Sequence, residues 1–193
     1  MLLRHYCIEG RTDRLSDKYG LSYIPGLLKN GDFRGTLEPW IASGVARLES
    51  HLGFGSRAQN RWGDNGDLGD TFVALGRTAS LSQEVRGLVP GRLYCLQFSA
   101  FSVRDAKSNR LAPRRLPLRC DLGREVEVLP SLSWVHVDGR IKGSTARNNG
   151  VARTNLHHLI FRAKGQSARV MLRNESDEEV GVNCVSLVPY IPE

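Results

Sequence analysis

The stretch Arg92-Leu93-Tyr94-Cys95-Leu96-Gln97-Phe98-Ser99-Ala100-Phe101-Ser102-Val103 decides the fold. Tyr94, Leu96, Phe98 and Ala100 fall on alternate positions, and alternate side chains of an extended chain point to one face. Leu93, Cys95 and Phe101 share the other face with Gln97 and Ser99. A strand that is apolar on one side and semi-polar on the other suits a two-sheet sandwich. Pro90-Gly91, just upstream, has the chemistry of a turn into it.

The same two-residue period recurs outward from this strand. Upstream it marks residues 45–49, 71–75 and 81–85; downstream it marks 124–129, 132–137, 156–161, 168–173 and 180–188. Asn149-Gly150 lies in a polar loop and suits a tight turn. About ten short strands with Gly and Pro turns predict an all-β sandwich or barrel. The best helix candidate is 12–20: Thr12 or Asp13 caps it, Leu15 and Tyr19 are four apart, and Gly20 ends it. The chain therefore reads as an N-terminal arm with one helix, residues 1–26, followed by one β domain, residues 27–193.

Composition agrees. Hydrophobic residues make up 40% of the 193, which excludes a disordered chain, and a domain of this length buries a full core without metals or disulfides. No apolar run approaches the roughly 18 residues of a membrane span. Met1-Leu2-Leu3-Arg4-His5-Tyr6 has no apolar signal core and no small-residue cleavage site. That favours a start inside the cell, with incorporation into a particle; an export signal removed before residue 1 is the other route. Cys7, Cys95, Cys120 and Cys184 form no CxxC pair, so zinc and redox readings are weak, and Cys95 reads as a buried thiol.

The formal charge is +7, from 22 Arg and 5 Lys against 20 acids, and it is uneven. Residues 101–170 hold 14 basic and 5 acidic residues, +9; residues 171–193 hold 1 and 5, −4. Arg110, Arg114, Arg115 and Arg119 form a basic patch broken by Pro113 and Pro117, which rules out a basic recognition helix. It reads as a solvated loop, or as a surface for carboxylate, sulfate or phosphate, which guanidinium binds in forked geometry. No aromatic residues interleave with it, so nucleic acid is an unlikely partner.

Catalytic patterns are missing. There is no HExxH and no G-x-S-x-G. His157 and His158 are neighbours in a predicted strand, point to opposite faces and cannot share a metal. Gly53-Phe54-Gly55-Ser56-Arg57-Ala58 matches a dinucleotide fingerprint only formally, because no amphipathic helix follows. The loop Asp64-Asn65-Gly66-Asp67-Leu68-Gly69-Asp70 spaces three acids by three, but Gly66 breaks the EF-hand pattern, and Asx turns explain it better than calcium. Arg61 and Trp62 precede it. A Trp beside Asp64, Asn65 and Asp67 is what a sugar site needs: a flat apolar face and polar groups for hydroxyls. Trp40 and Trp134 read as structural. Asn174-Glu175-Ser176 is a sequon that matters where a eukaryote secretes the chain.

Leu28-Lys29-Asn30-Gly31-Asp32-Phe33 with Leu37-Glu38-Pro39-Trp40 resembles the opening of carbohydrate-binding modules with the galactose-binding-like jelly roll. Residues 69–76, 81–85 and 91–98 are similar to that family's middle strands, and Val182-Asn183-Cys184-Val185-Ser186-Leu187 to its closing strand. The resemblance implies a jelly-roll β-sandwich over residues 28–188. In the family a structural calcium often sits between first and last strands, held by two acids. Here Arg34 and Cys184 occupy those positions, leaving Asp32 and Asn183 as a poor metal site and no cofactor expected.

Together these features point to a non-catalytic carbohydrate-binding module for a polysaccharide or other glycan, favouring an acidic one. The alternative is a virion, tail or appendage component that reuses the jelly roll, with residues 1–26 reaching other protein subunits.

Overall fold

The computed structural model describes residues 26–33, 35–50, 71–107, 114–142 and 151–190. The helix expected at 12–20, the arm offered to other subunits (residue 26 excepted) and the Asn149-Gly150 turn lie outside the described residues. So do Arg61, Trp62, Asp64, Asn65, Asp67 and Arg110.

The described chain is a jelly-roll β-sandwich. Its strands are β1 (Ile41–Ser43), β2 (Ala46–Ser50), β3 (Thr71–Leu75), β4 (Ser80–Arg86), β5 (Leu93–Ser102), β6 (Leu118–Asp121), β7 (Val126–Val128), β8 (Trp134–Lys142), β9 (Val151–Ala163), β10 (Ser167–Asn174) and β11 (Val180–Pro189). A short helix α1 (Val103–Lys107) follows β5, and Pro130–Leu132 make a 3-10 turn between β7 and β8. A four-stranded sheet runs β1-β4-β10-β6; a seven-stranded sheet runs β2-β3-β11-β5-β9-β7, with β8 also paired to β9. All pairings are antiparallel. None of the described helices is long and apolar enough to cross a membrane.

The alternation read from β5 places its side chains as expected. Tyr94, Leu96, Phe98 and Ala100 enter the main core between the sheets, with Leu81 and Val85 of β4, Val170 and Leu172 of β10, and Val182 and Leu187 of β11. Cys95 and Phe101 point the other way, into two smaller clusters on the outer side of the large sheet. Cys95, Cys120 and Cys184 are free thiols.

The opening and closing segments meet. β3 pairs with β11 only as far as Val182. Beyond it, β11 bulges between Asn183 and Ser186, and Cys184 takes a left-handed backbone (φ 54°). The opening segment runs beside the rest of β11. Leu27 N–H donates to Leu187 O (2.9 Å) and Val185 N–H to Gly31 O (2.9 Å). The approach is close enough that a Cβ on Gly31 would overlap the Val185 carbonyl.

Side chains fasten this segment from both sheets. Gln83, on the inner face of β4, accepts from Lys29 N–H (2.8 Å) and donates to Lys29 O (2.9 Å). Thr71 Oγ1 donates to the carbonyls of Phe33 (2.6 Å) and Asp32 (3.2 Å). Asn30 donates to the carbonyls of Thr36 and Glu38, and Trp40 Nε1 donates to Asn30 O. Trp40 is buried against Phe33 (ring centres 5.7 Å apart), a structural role as expected.

Candidate functional site

The large sheet carries a line of paired residues on its outer side. Ser186 of β11 is opposite Gln97 of β5, Gln97 is opposite His158 of β9, and His158 is opposite Trp134 of β8. At strand spacings of about 4.8 Å, this row spans roughly 14 Å.

Trp134 is the one exposed Phe, Tyr or Trp among the described residues, with 45% of its surface open. Its indole stacks on the His158 imidazole, ring centres 4.0 Å apart and planes within 12°. This differs from the structural role read from its apolar neighbours. Val135, the next residue, pairs with His157 on the inner side, so Trp134 must point outward. One indole face is fixed by His158, which makes Trp134 a rigid plate.

Beneath the plate, His158 Nδ1 lies 3.6 Å from Cys95 Sγ, and Gln97 Nε2 donates to the same sulfur (3.5 Å). Burial pushes the Cys95 thiol up and the His158 imidazole down in pKa, so the pair rests as neutral thiol and neutral imidazole. A cysteine nucleophile works as a thiolate, which this environment disfavours. His158 Nε2 and Ser186 Oγ are buried and have no hydrogen-bond partner among the described residues. His157 faces inward, as its strand position predicts, and stacks on Phe98 at 4.3 Å.

The basic segment meets the acidic C-terminal block at one end of the sandwich. The turn between β10 and β11 carries Glu175, Asp177, Glu178 and Glu179, and each pairs with an arginine. Arg119 lies 3.9 Å from Glu175, and Arg77 lies 3.5 Å from Asp177. Arg114 bridges Glu178 (2.6 Å) and Asp105 (2.8 Å), and Arg47 Nη2 donates to Glu179 (2.8 Å). Asn155 of β9 holds the backbone of this segment, accepting from Leu116 N–H and donating to Arg114 O. Arg114 and Arg119 of the basic patch thus face acids of their own chain, and Arg115 is exposed.

The Asn183 side chain and carbonyl both have partners within the fold. Asn183 Oδ1 accepts from Cys184 N–H (2.7 Å), and its carbonyl accepts from Ser99 Oγ (3.1 Å). Among the described residues, no group of three or more His, Cys, Asp or Glu is placed to hold a metal. The sequon is spent on structure. Asn174 is fully buried, donates to the carbonyls of Leu75, Gly76 and Glu178 (2.7–3.0 Å), and accepts from Ser176.

A scan against protein-family models finds no match, and neither does a search of curated proteins. Several solved structures are similar in shape, among them the following two. One is the enzymatically active domain of tailspike protein 4 of bacteriophage CBA120, 12% identical with a TM-score of 0.45 over 86% of this chain. This chain spans only 21% of that one. The other is TmCBM61 in complex with beta-1,4-galactotriose, 15% identical with a TM-score of 0.41, covering 86% of this chain and 100% of that one. What those proteins bind is a property of theirs; the ligand of this chain has to be read from its own side chains.

Proposed function

We propose that this protein is a non-catalytic carbohydrate-binding module. The observation that carries the reading is Trp134: an exposed indole, backed and held flat by His158, on the outer side of the large sheet. A pyranose ring offers a C–H face to such a plate and hydroxyls to the polar groups around it. Binding is favoured over catalysis because the one Cys–His contact in the row is electrically neutral, and His157 is locked into the core. The net +7 charge favours an acidic glycan.

Affinity electrophoresis through gels containing neutral and acidic polysaccharides tests this. At least one polymer retards the wild type, and Trp134→Ala lowers that affinity at least tenfold, the size of one aromatic anchor (about 2 kcal/mol). Retardation unchanged in Trp134→Ala removes Trp134 from the site. A wild type that no glycan retards, yet which self-associates, turns the reading to the assembly alternative.

A further inference from the structure

The opposite face of the sandwich holds a second feature. A cleft of about 380 Å³ crosses the outer side of the four-stranded sheet. That is within the range of small-ligand sites, roughly 300–1,000 Å³. Ile41 of β1 and Ser82 and Glu84 of β4 line it, with Arg169 of β10 and Arg124 and Glu125 of the turn after β6. Gly123 shapes that turn with a left-handed conformation (φ 78°), and a Cβ placed on it would come 4.0 Å from the Arg169 backbone nitrogen.

The charges of this cleft are not equivalent. Glu84 and Arg169 are opposite each other in register. Glu84 nevertheless turns along its own strand to Arg86, which reaches both its oxygens (3.1 and 3.4 Å). Glu125 lies over Gly165, in the turn between β9 and β10. Among the described residues Arg169 meets no carboxylate within ion-pair distance; it donates to Ser82 Oγ, at 3.3 Å. Arg124 has no carboxylate partner among the described residues. Glu84 is engaged by Arg86, and two guanidinium groups without an ion-pair partner among the described residues line the same opening, with Glu125 also on its wall.

We infer that this cleft binds the carboxylate of an acidic sugar, a uronic acid residue, with Arg169 and Arg124 as its anion-reading groups. The guanidinium fork matches a planar carboxylate, Ser82 and Glu84 suit ring hydroxyls, and Ile41, 70% exposed, gives the apolar side a sugar ring needs. The inference deepens the carbohydrate reading but uses different residues on the other sheet, so the two can fail separately.

The test uses the full chain on gels containing polygalacturonate, its methyl ester and neutral galactan. The ester keeps the ring and removes the charge. The wild type binds polygalacturonate at least tenfold more tightly than the ester, and Arg169→Gln and Arg124→Gln each remove most of that preference. Arg92→Gln, which deletes the same charge outside the cleft, keeps it. Equal binding to acid and ester overturns the inference, and so does an equal loss in Arg92→Gln, which would mean diffuse attraction to the net charge. Galactan binding that depends on Trp134, without preference for the acid, leaves the broader function standing and removes only this site. No binding to any of the three polymers removes both.

Discussion

His157 and Phe98 stack inside the core with their rings 4.3 Å apart and 12° from parallel. The pair places an imidazole, which titrates near neutral pH in water, against hydrocarbon between the sheets. Burial, helped by the nearby positive charge of Arg115, lowers the His157 pKa from 6.5 to about 4.

The pH dependence of stability follows. A histidine with a depressed native pKa binds its proton in the unfolded chain first, so stability is intact above pH 6.5 and falls as the pH drops from 6.5 to 4. Below about 4 both states are protonated and the loss levels off. The shift corresponds to roughly 3 kcal/mol at full extent. Urea melts at pH 7, 5.5 and 4.5 measure it; His157→Phe should flatten the profile, and a profile just as steep in that variant would assign the effect elsewhere.

Gly31→Ala should destabilise the fold by about 1–3 kcal/mol, the range for forced overpacking. The new methyl meets the Val185 carbonyl that flanks the β11 bulge, so the opening segment has to lift away. Gly87→Ala is the comparison, since nothing lies near its Cβ position and only its left-handed backbone resists. Thermal melts in which Gly31→Ala matches wild type would show that the segment does not lie against β11.

Asn174→Ala should cost about 2–4 kcal/mol, because it leaves several buried carbonyls without donors at once. Asn174→Asp tests the direction of the bonds, since a carboxylate cannot donate to them. Equilibrium denaturation showing both variants within 0.5 kcal/mol of wild type, a margin of about that of ordinary surface changes, would rule out the hub.

The acidic turn gives a salt-dependent prediction. Arg114 and Glu178 are partly exposed, and a double-mutant cycle with Arg114→Ala and Glu178→Gln should give a coupling of about 0.5–1 kcal/mol at low salt. In 0.5 M NaCl that coupling shrinks, because exposed charges are screened over a few ångströms. A coupling that is zero at low salt, or unchanged by salt, would contradict the pairing.

The sequence made some of this legible and hid the rest for identifiable reasons. The period of two in β5 and β10 is local, and so is the opposite orientation of His157 and His158; both are read directly. β6 is not, because Pro117 and Arg119 disguise a strand whose apolar members, Leu118 and Cys120, are only partly buried against the core. β1 has no apolar period, since all three of its residues are exposed. Trp134 looked structural because its neighbours are apolar, and only the register with His158 puts it outside. The cleft residues belong to three strands and a turn, so no spacing along the chain could have joined Ser82, Arg124 and Arg169. The charge blocks were visible as sums, but their cancellation across the β10–β11 turn is a long-range fact.

The buried Asn174 carries one last consequence. Asn174-Glu175-Ser176 satisfies the acceptor pattern for N-linked sugar, yet the folded protein keeps the amide sealed between two strands and a turn. In a eukaryotic secretory host, attachment there reaches only chains that have not yet closed over it, and the sugar then prevents closure. Glycan occupancy at this position would therefore serve as a clock: the fraction of molecules shifted in mass, and restored by deglycosylation, counts those that folded too late.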